Sequence, residues 1–300
     1  MKLSSVIKTG MLGLCLGSFG QAFATTIVFT DFSDLSPLQI NGATQGIHSC
    51  AASGAGSTCS TVTDFDGNKV LRLTNNLSQS GSAFSTSAIS LDANASFSSA
   101  FRFRFTDQQN GGADGIVFTV QTVSNTTGGS GGGIGYQGLP KSVGIEFDNW
   151  FNSGSDINAN HVGIDLGGSV NSVASLDLGT LGYTLDSGTT FTSWVDYNGA
   201  TDLLEVRISS TGVRPVAAQL SYTVDLVSVL GSTNAFVGFT SGTGAAGADH
   251  DILAWQFNST FDPIDDIGGG GGSTVPEPAT LAILGIGLLG LASTRRRAPR

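Results

Sequence analysis

Apolar and polar residues alternate with a period of two through Phe101-Arg102-Phe103-Arg104-Phe105, which puts three rings on one face of an extended strand and two guanidiniums on the other. Weaker versions recur along the chain. Ile27, Phe29 and Phe32 lie near the start, and Val70, Leu71 and Leu73 surround Arg72. Further runs are Ile116–Val120, Val143–Phe147, Val162–Leu166, Phe191–Tyr197, Leu203–Ile208, Phe236–Thr240 and Ile252–Phe257, with Gly, Asn, Ser and Asp between them. No segment between the two ends sustains a 3.6-residue apolar stripe. Glu is scarce and Gly fills 43 of 300 positions, which disfavours long helices. Short strands in such number bury their apolar faces only by stacking two sheets, so an all-β jelly-roll sandwich is predicted, with 18 phenylalanines to fill it. The absence of a long-period repeat argues against a solenoid or propeller.

The two ends read as addresses. Residues 1–24 carry Lys2 and Lys8, an apolar stretch from Met11 to Phe19 and the small-x-small site Ala22-Phe23-Ala24, the pattern of a signal peptide that leaves Thr25 as the first mature residue. Leu14 before Cys15 is too bulky for a lipoprotein signal. Lys2, Lys8, Arg295, Arg296, Arg297 and Arg300 all lie in these ends, leaving seven basic against 22 acidic residues in the body. Such a body repels nucleic acid. Its carboxylates are better suited to holding cations or keeping an exported protein soluble.

A Gly-rich linker over 263–274 leads to Val275-Pro276-Glu277-Pro278, an apolar run from Ala279 to Ala292 and Arg295-Arg296-Arg297. Residues 275–300 closely resemble a PEP-CTERM sorting tail. The resemblance implies a Gram-negative host, processing by an exosortase-type enzyme, export to the cell surface, outer membrane or extracellular matrix, and a setting of exopolysaccharide or biofilm. Membrane contact would come only through this tail, whose apolar run is shorter than the roughly 20 residues a spanning helix needs. With Cys15 removed, Cys50 and Cys59 remain, and in an oxidising compartment they are expected to form a structural disulfide contributing on the order of 2 to 3 kcal/mol.

The densest chemistry lies in Val143-Gly144-Ile145-Glu146-Phe147-Asp148-Asn149-Trp150-Phe151-Asn152, continuing through Asp156 to His161-Val162-Gly163-Ile164-Asp165. Side chains two apart on a strand share a face, so Glu146 and Asp148 project together. Asn152 and Asp156 add oxygen donors of the kind calcium takes, and His161 adds an imidazole suited to a transition ion. The alternative is a solvated acidic loop. His48 and His250 read as structural.

Glu-x-Asp, then Asn, Asp and His-x-Gly-Ile-Asp in this spacing resembles the paired metal site of legume-type (L-type) lectins. That resemblance implies manganese or a similar ion on Glu146, Asp148, Asp156 and His161, and calcium on Asp148, Asp156, Asn152 and the carbonyl of Trp150. Other segments agree in order: Gly112-Ala113-Asp114-Gly115 resembles the family's turn with a cis peptide before a sugar-binding Asp; Gly131-Gly132-Gly133-Ile134-Gly135-Tyr136 resembles its Gly-rich loop, aligned through Gly132 or Gly133; and Gly244-Ala245-Ala246 before His250–Phe257 resembles its specificity loop. Trp194-Val195-Asp196-Tyr197 also resembles one of the family's strands. Asn149 departs from the family's small Thr, and the specificity loop carries small residues in place of long polar ones.

The resemblance implies a legume-lectin-like domain over 25–262 and a non-catalytic function. Asp114, Asn152, the Gly132 or Gly133 N–H and the loop at Gly244, Ala245 and Ala246 would hold a sugar, with Trp150 stacked on its apolar face, and sheet edges would permit a homo-oligomer. Two other readings are a metal-stabilised matrix protein without sugar binding and a laminarinase-like glycoside hydrolase on a related sandwich. The hydrolase requires a second glutamate shortly after Asp148, where this chain has Trp150 and Phe151.

Overall fold

The computed structural model describes residues 24–44, 62–63, 67 and 69–268. His48, Cys50, Cys59, the Pro-Glu-Pro tail and all of the signal segment except Ala24 lie outside the described residues.

Among the described residues the chain forms two antiparallel sheets of eight strands each. The back sheet runs in the order Leu220–Thr223, Leu203–Ser209, Phe191–Asn198, Phe97–Gln109, Gly247–Asn258, Lys69–Thr74 and Val62–Thr63, with Thr26–Phe29 also on Gly247–Asn258. The front sheet runs Ala174–Asp177, His161–Leu166, Ser142–Asp148, Gly115–Gln121, Asn234–Gly242, Ser80–Ser85 and Leu38–Gly42, with Ile89–Ser90 also on Asn234–Gly242. All seven of the longer apolar runs picked out in the sequence fall within these strands. One α-helical turn, Leu226–Leu230, is capped by the Asp225 side chain on the Ser228 N–H.

The alternation in Phe97–Gln109 does what period two requires. Phe101, Phe103 and Phe105 are buried between the sheets. Phe103 meets Phe147 of the front sheet at 4.7 Å between ring centroids, and Phe101 meets Phe239 edge to face at 5.0 Å. Each fully buried ring contributes about 1.5–3 kcal/mol, so these pairs hold the front sheet in place over the back one. The two arginines do turn to the other face, but Arg104 is buried there: it lies opposite Asp251 in the register, next to Arg72, whose Nε and Nη2 reach Asp251 at 2.7 and 2.8 Å. Charge pairing, which period two does not encode, closes that part of the outer face.

The chain after Asn258 crosses the same outer face. Ile264 and Ile267, within the stretch read as linker, are buried against Ala100, Trp194 and Ala254, and Arg102 Nη2 donates to the Gly268 carbonyl at 2.9 Å. The packed body therefore continues to Gly268.

In the front sheet the register sets Gly115 opposite Asp148 and Asp148 opposite His161. Three neighbouring strands thus end abreast, and the loops beyond them share one end of the sandwich.

Candidate functional site

Pairing of Ser142–Asp148 with His161–Leu166 places Gly163 opposite Glu146 and His161 opposite Asp148. Gly163 has no side chain there to compete with the Glu146 carboxylate. Glu146, Asp148 and His161 are all buried, and one donor atom from each lies within 4.8 Å of the others. His161 Nδ1 is 2.9 Å from the Asn158 carbonyl, which fixes the ring and turns Nε2 towards Glu146 Oε1 at 3.3 Å. A second-sphere carbonyl on one imidazole nitrogen is how a metal-ligating histidine is commonly oriented.

The loop after Asp148 folds back through its own carboxylates. Asp148 Oδ1 accepts the Trp150 N–H at 2.7 Å, and Asp156 Oδ2 accepts the Asn152 N–H at 2.5 Å. Asp156 is half-buried and lies outside the tight trio, yet its charge is felt by both His161 and Asp114, so it stands between the two halves of the site.

Asp114 occupies the neighbouring turn. The Ala113–Asp114 peptide is cis, as the family resemblance implied. Its N–H donates to the Gly242 carbonyl at 3.0 Å and its carbonyl accepts from the Asn149 N–H at 3.2 Å, so the turn is tied to two other loops. Asp114 Oδ2 and Asn152 Oδ1 are both buried and, among the described residues, have no hydrogen-bond partner. Buried oxygens of this kind cost of the order of 1–3 kcal/mol each if nothing binds them.

The two glycine-bearing loops close the pocket. A side-chain carbon on Gly132 would lie 2.6 Å from both ends of the Asn152 amide, so glycine is what lets Asn152 hold this position. The Gly133 N–H is already taken by the Ser130 carbonyl at 3.2 Å. On the other side the Gly131 N–H donates to the Thr243 carbonyl at 3.1 Å, and Asn110 Nδ2 donates to the Ala245 carbonyl at 2.8 Å. The Gly244 N–H donates to the Ala246 carbonyl at 3.0 Å and also reaches the Asp114 carboxylate. Ala246 is buried. Trp150 is 38% exposed, with its ring beside Gly111, and is therefore not a core residue.

Electrostatics follow from packing carboxylates together. Burial, then the neighbouring charges of Glu146, Asp156 and Asp114, push Asp148 well above the usual carboxylate range. Burial and the charge of Asp156 raise Asp114 to about 6. Burial works against a charged His161, but the hydrogen bond and charge of Glu146, helped by Asp156, outweigh it and raise the imidazole. A cation is the counter-charge this arrangement lacks, and oxygen donors beside one imidazole match the needs of a hard ion and a transition ion.

The structure also brings in side chains to which the sequence reading gave no role. Asp165 is buried, has an Oδ2 without a partner among the described residues, and is pushed well above the usual carboxylate range by burial and by Glu146. Its position, four after His161 on one strand face, was a signal available in the sequence. Ser172 Oγ lies within hydrogen-bond distance of both Glu146 Oε1 and Asp165 Oδ1, the latter at 3.1 Å, and its one hydroxyl proton serves either. Ser172 comes from the following loop, where no local pattern marks it. Glu205, the other glutamate of the body, lies on the back sheet beside Arg207 at 3.3 Å, so no second glutamate faces Glu146.

Comparison with known proteins agrees with this arrangement. The chain is 36% identical over 188 residues to the L-type lectin-domain containing receptor kinase VIII.1 of Arabidopsis thaliana, covering 61% of this chain and 26% of that protein. It is 33% identical over 182 residues to the bark lectin of Styphnolobium japonicum, covering 57% of this chain and 64% of the lectin. The chain thus spans only about a quarter of the receptor kinase's length. Among solved structures, peanut lectin superposes with a TM-score of 0.61 at 25% identity, covering 79% of this chain and 97% of the lectin. Basic winged bean lectin gives 0.60 at 25%, covering 79% and 98%. The PEP-CTERM protein-sorting motif matches residues 274–297, and a motif of this kind marks export and sorting to the bacterial surface or exterior. The legume lectin domain matches residues 57–269, and with its sandwich, cis turn and carboxylate–histidine cluster the chain belongs to the legume lectin domain family.

Proposed function

We propose that this domain binds carbohydrate without breaking a bond, at the junction of the four loops, and that cations order the loop after Asp148. Supporting this most directly, the orphaned oxygens of Asp114 and Asn152 are buried beside the Glu146–Asp148–His161 cluster. Glu146, Asp148, Asp156 and His161 would hold a transition ion such as manganese. Asp148, Asp156, Asn152 and the Trp150 carbonyl would hold calcium. Bound cations would supply the positive charge that keeps these carboxylates ionised.

The protein's own groups then do the recognition. Asp114 accepts from two sugar hydroxyls, Asn152 and the Gly132 N–H donate, and the exposed Trp150 ring covers an apolar sugar face. Small residues at Gly244, Ala245 and Ala246 leave the pocket wide on that side. The mature chain, beginning at Thr25, would act outside a Gram-negative cell on exopolysaccharide or surface glycans after exosortase processing of the tail. A single shallow site of this kind suggests affinities of about millimolar to tens of micromolar, raised by multivalent display.

The test is a glycan array probed with the purified mature protein in calcium and manganese, after chelation, and with Asn152→Ala. Binding that needs both the ions and Asn152 supports the proposal. Cation uptake with thermal stabilisation but no glycan bound would overturn it in favour of a structural role.

A further inference from the structure

His250 is fully buried, and the metal cluster and the sugar pocket make no use of it. Where Gly247–Asn258 runs against Lys69–Thr74, a register shift between His250 and Asp251 leaves Leu73 as the extra residue and sets Thr74 opposite His250. Asp251 pairs with Arg72 on the outer face, and His250, on the same side of its strand as Ile252, lies between the sheets, edge to face with Phe105 at 4.4 Å.

Three polar atoms meet in that space. His250 Nδ1 lies 2.7 Å from Thr74 Oγ1 and 3.1 Å from Ser241 Oγ, and the two hydroxyls are 3.0 Å apart. Ser241 Oγ also lies 2.7 Å from the Gly115 carbonyl, to which it must donate because a carbonyl only accepts. His250 Nε2 is buried and, among the described residues, unpartnered. Thr74 and His250 belong to the back sheet, whereas Ser241 and Gly115 belong to the front sheet, so this cluster joins the two sheets directly behind the Asp114 turn.

Proton counting separates the two neutral tautomers. With Ser241 committed to Gly115, its oxygen is left as an acceptor. If Nδ1 carries the proton, Nδ1–H donates to Thr74, Thr74 donates to Ser241 and Ser241 donates to Gly115. Three hydrogen bonds form and the unpartnered atom is a bare nitrogen. If Nε2 carries the proton, Thr74 must donate to Nδ1, only two bonds form, and a buried N–H is left with at best a weak π acceptor in Phe105. Burial in apolar surroundings drops the His250 imidazole to about 3, so the ring is neutral at ordinary pH.

We propose that His250 is a positioning residue, held with its proton on Nδ1, that starts a one-way chain of hydrogen bonds through Thr74 and Ser241 to the Gly115 carbonyl and so fixes the Asp114 turn from behind. This chain needs neither a cation nor a sugar. It can therefore be tested, and can fail, independently of the proposed binding function.

The first measurement is a long-range 1H–15N correlation on the mature protein labelled at histidine, with the His250 ring assigned by its loss in His250→Phe. Protonated Nδ1 and bare Nε2 are expected; protonated Nε2 overturns the proposal, and this result requires no variant to function. The second is amide exchange at Asp114 and Asn149. Ser241→Ala and His250→Gln should quicken exchange there about tenfold while Val195 and Val206 in the back sheet change less than about twofold. His250→Asn, whose amide nitrogen takes the place of Nδ1, should restore protection where His250→Gln does not. Equal quickening throughout the sandwich, no quickening at Asp114, or equal behaviour of Asn and Gln would overturn the positioning role.

Discussion

Asn149 Nδ2 donates to Asp186 Oδ1 at 2.7 Å, and through this bond the loop after Asp148 is joined to the 3-10 turn Leu185–Ser187. The Asn149 backbone N–H holds the Asp114 carbonyl, and the Asp186 carboxylate presses against Gly112, where a side-chain carbon would sit 2.6 Å from Oδ1. One residue that departs from the family's small Thr therefore braces three loops. Asn149→Ala should destabilise the fold by about 1 kcal/mol by leaving a half-buried carboxylate short of a donor. Asn149→Asp should cost more at neutral pH, because two carboxylates then face each other. Urea denaturation at pH 5 and pH 7.5 checks both; an Asp variant no worse than Ala at pH 7.5 would contradict the contact.

Asp114→Asn keeps the size of the side chain and removes an acceptor. Affinity for whichever glycan the wild type binds should fall about 10- to 100-fold with little change in thermal midpoint, since a charge-assisted pair is worth about 1.5–3 kcal/mol. Titration calorimetry alongside a melting curve decides it.

Gly132→Ala brings a methyl carbon to 2.6 Å from the Asn152 amide, so Asn152 must move. Glycan binding should drop at least tenfold, by roughly the 1.4 kcal/mol that one decade represents, while Gly133→Ala is expected to be milder. Parallel affinity measurements on the two variants read the difference directly.

Trp150→Ala should weaken binding about tenfold if the indole stacks on sugar, and should leave the melting temperature unchanged because the ring is 38% exposed. A large loss of stability would instead identify the ring as a packing element.

On the proposed function, protons and cations would compete for the same carboxylates. Asp148 is raised well above its ordinary value and Asp114 to about 6, so the metal-free fold binds protons that the unfolded chain has already released. Its stability accordingly falls as pH rises from about 4 through 6, by linkage. If calcium and manganese bind as proposed they would replace those protons, so the rise in melting temperature on saturation should be small at pH 4 and reach about 5–10 °C near pH 7. Differential scanning calorimetry with and without chelator measures that difference. A stabilisation largest at pH 4 would contradict cation binding at this cluster.

Much of the site was legible because it is local. Glu146 and Asp148 share a strand face by alternation alone, and His161 opens the next strand after a short loop, so pairing one strand with its neighbour assembles the trio. The cis turn at Asp114 and the Gly132 loop were legible only through resemblance to a family; neither Ala-Asp-Gly nor a run of glycines determines which loop it will face. Ser172 at Glu146, and Asp186 at Asn149, carried no signal, because each arrives from another loop and its partner is chosen in three dimensions. Alternation sets Arg104 on the face opposite the rings, where it is buried; period two gives the direction of a side chain but not what covers it.

The sequence by itself determined that this chain is all-β with its rings on one face of each strand, a pattern that two stacked sheets bury. It also determined that carboxylates and an imidazole crowd one pair of strands, because neighbouring positions on paired strands are fixed by the backbone's own period. Tertiary structure alone decided what stands behind and around that cluster. The shifted register that sets Thr74 opposite His250, the placing of Ser241 against Gly115, and the seating of Ile264 and Ile267 on the back sheet all depend on how separate strands stack, and that is settled by packing across the core.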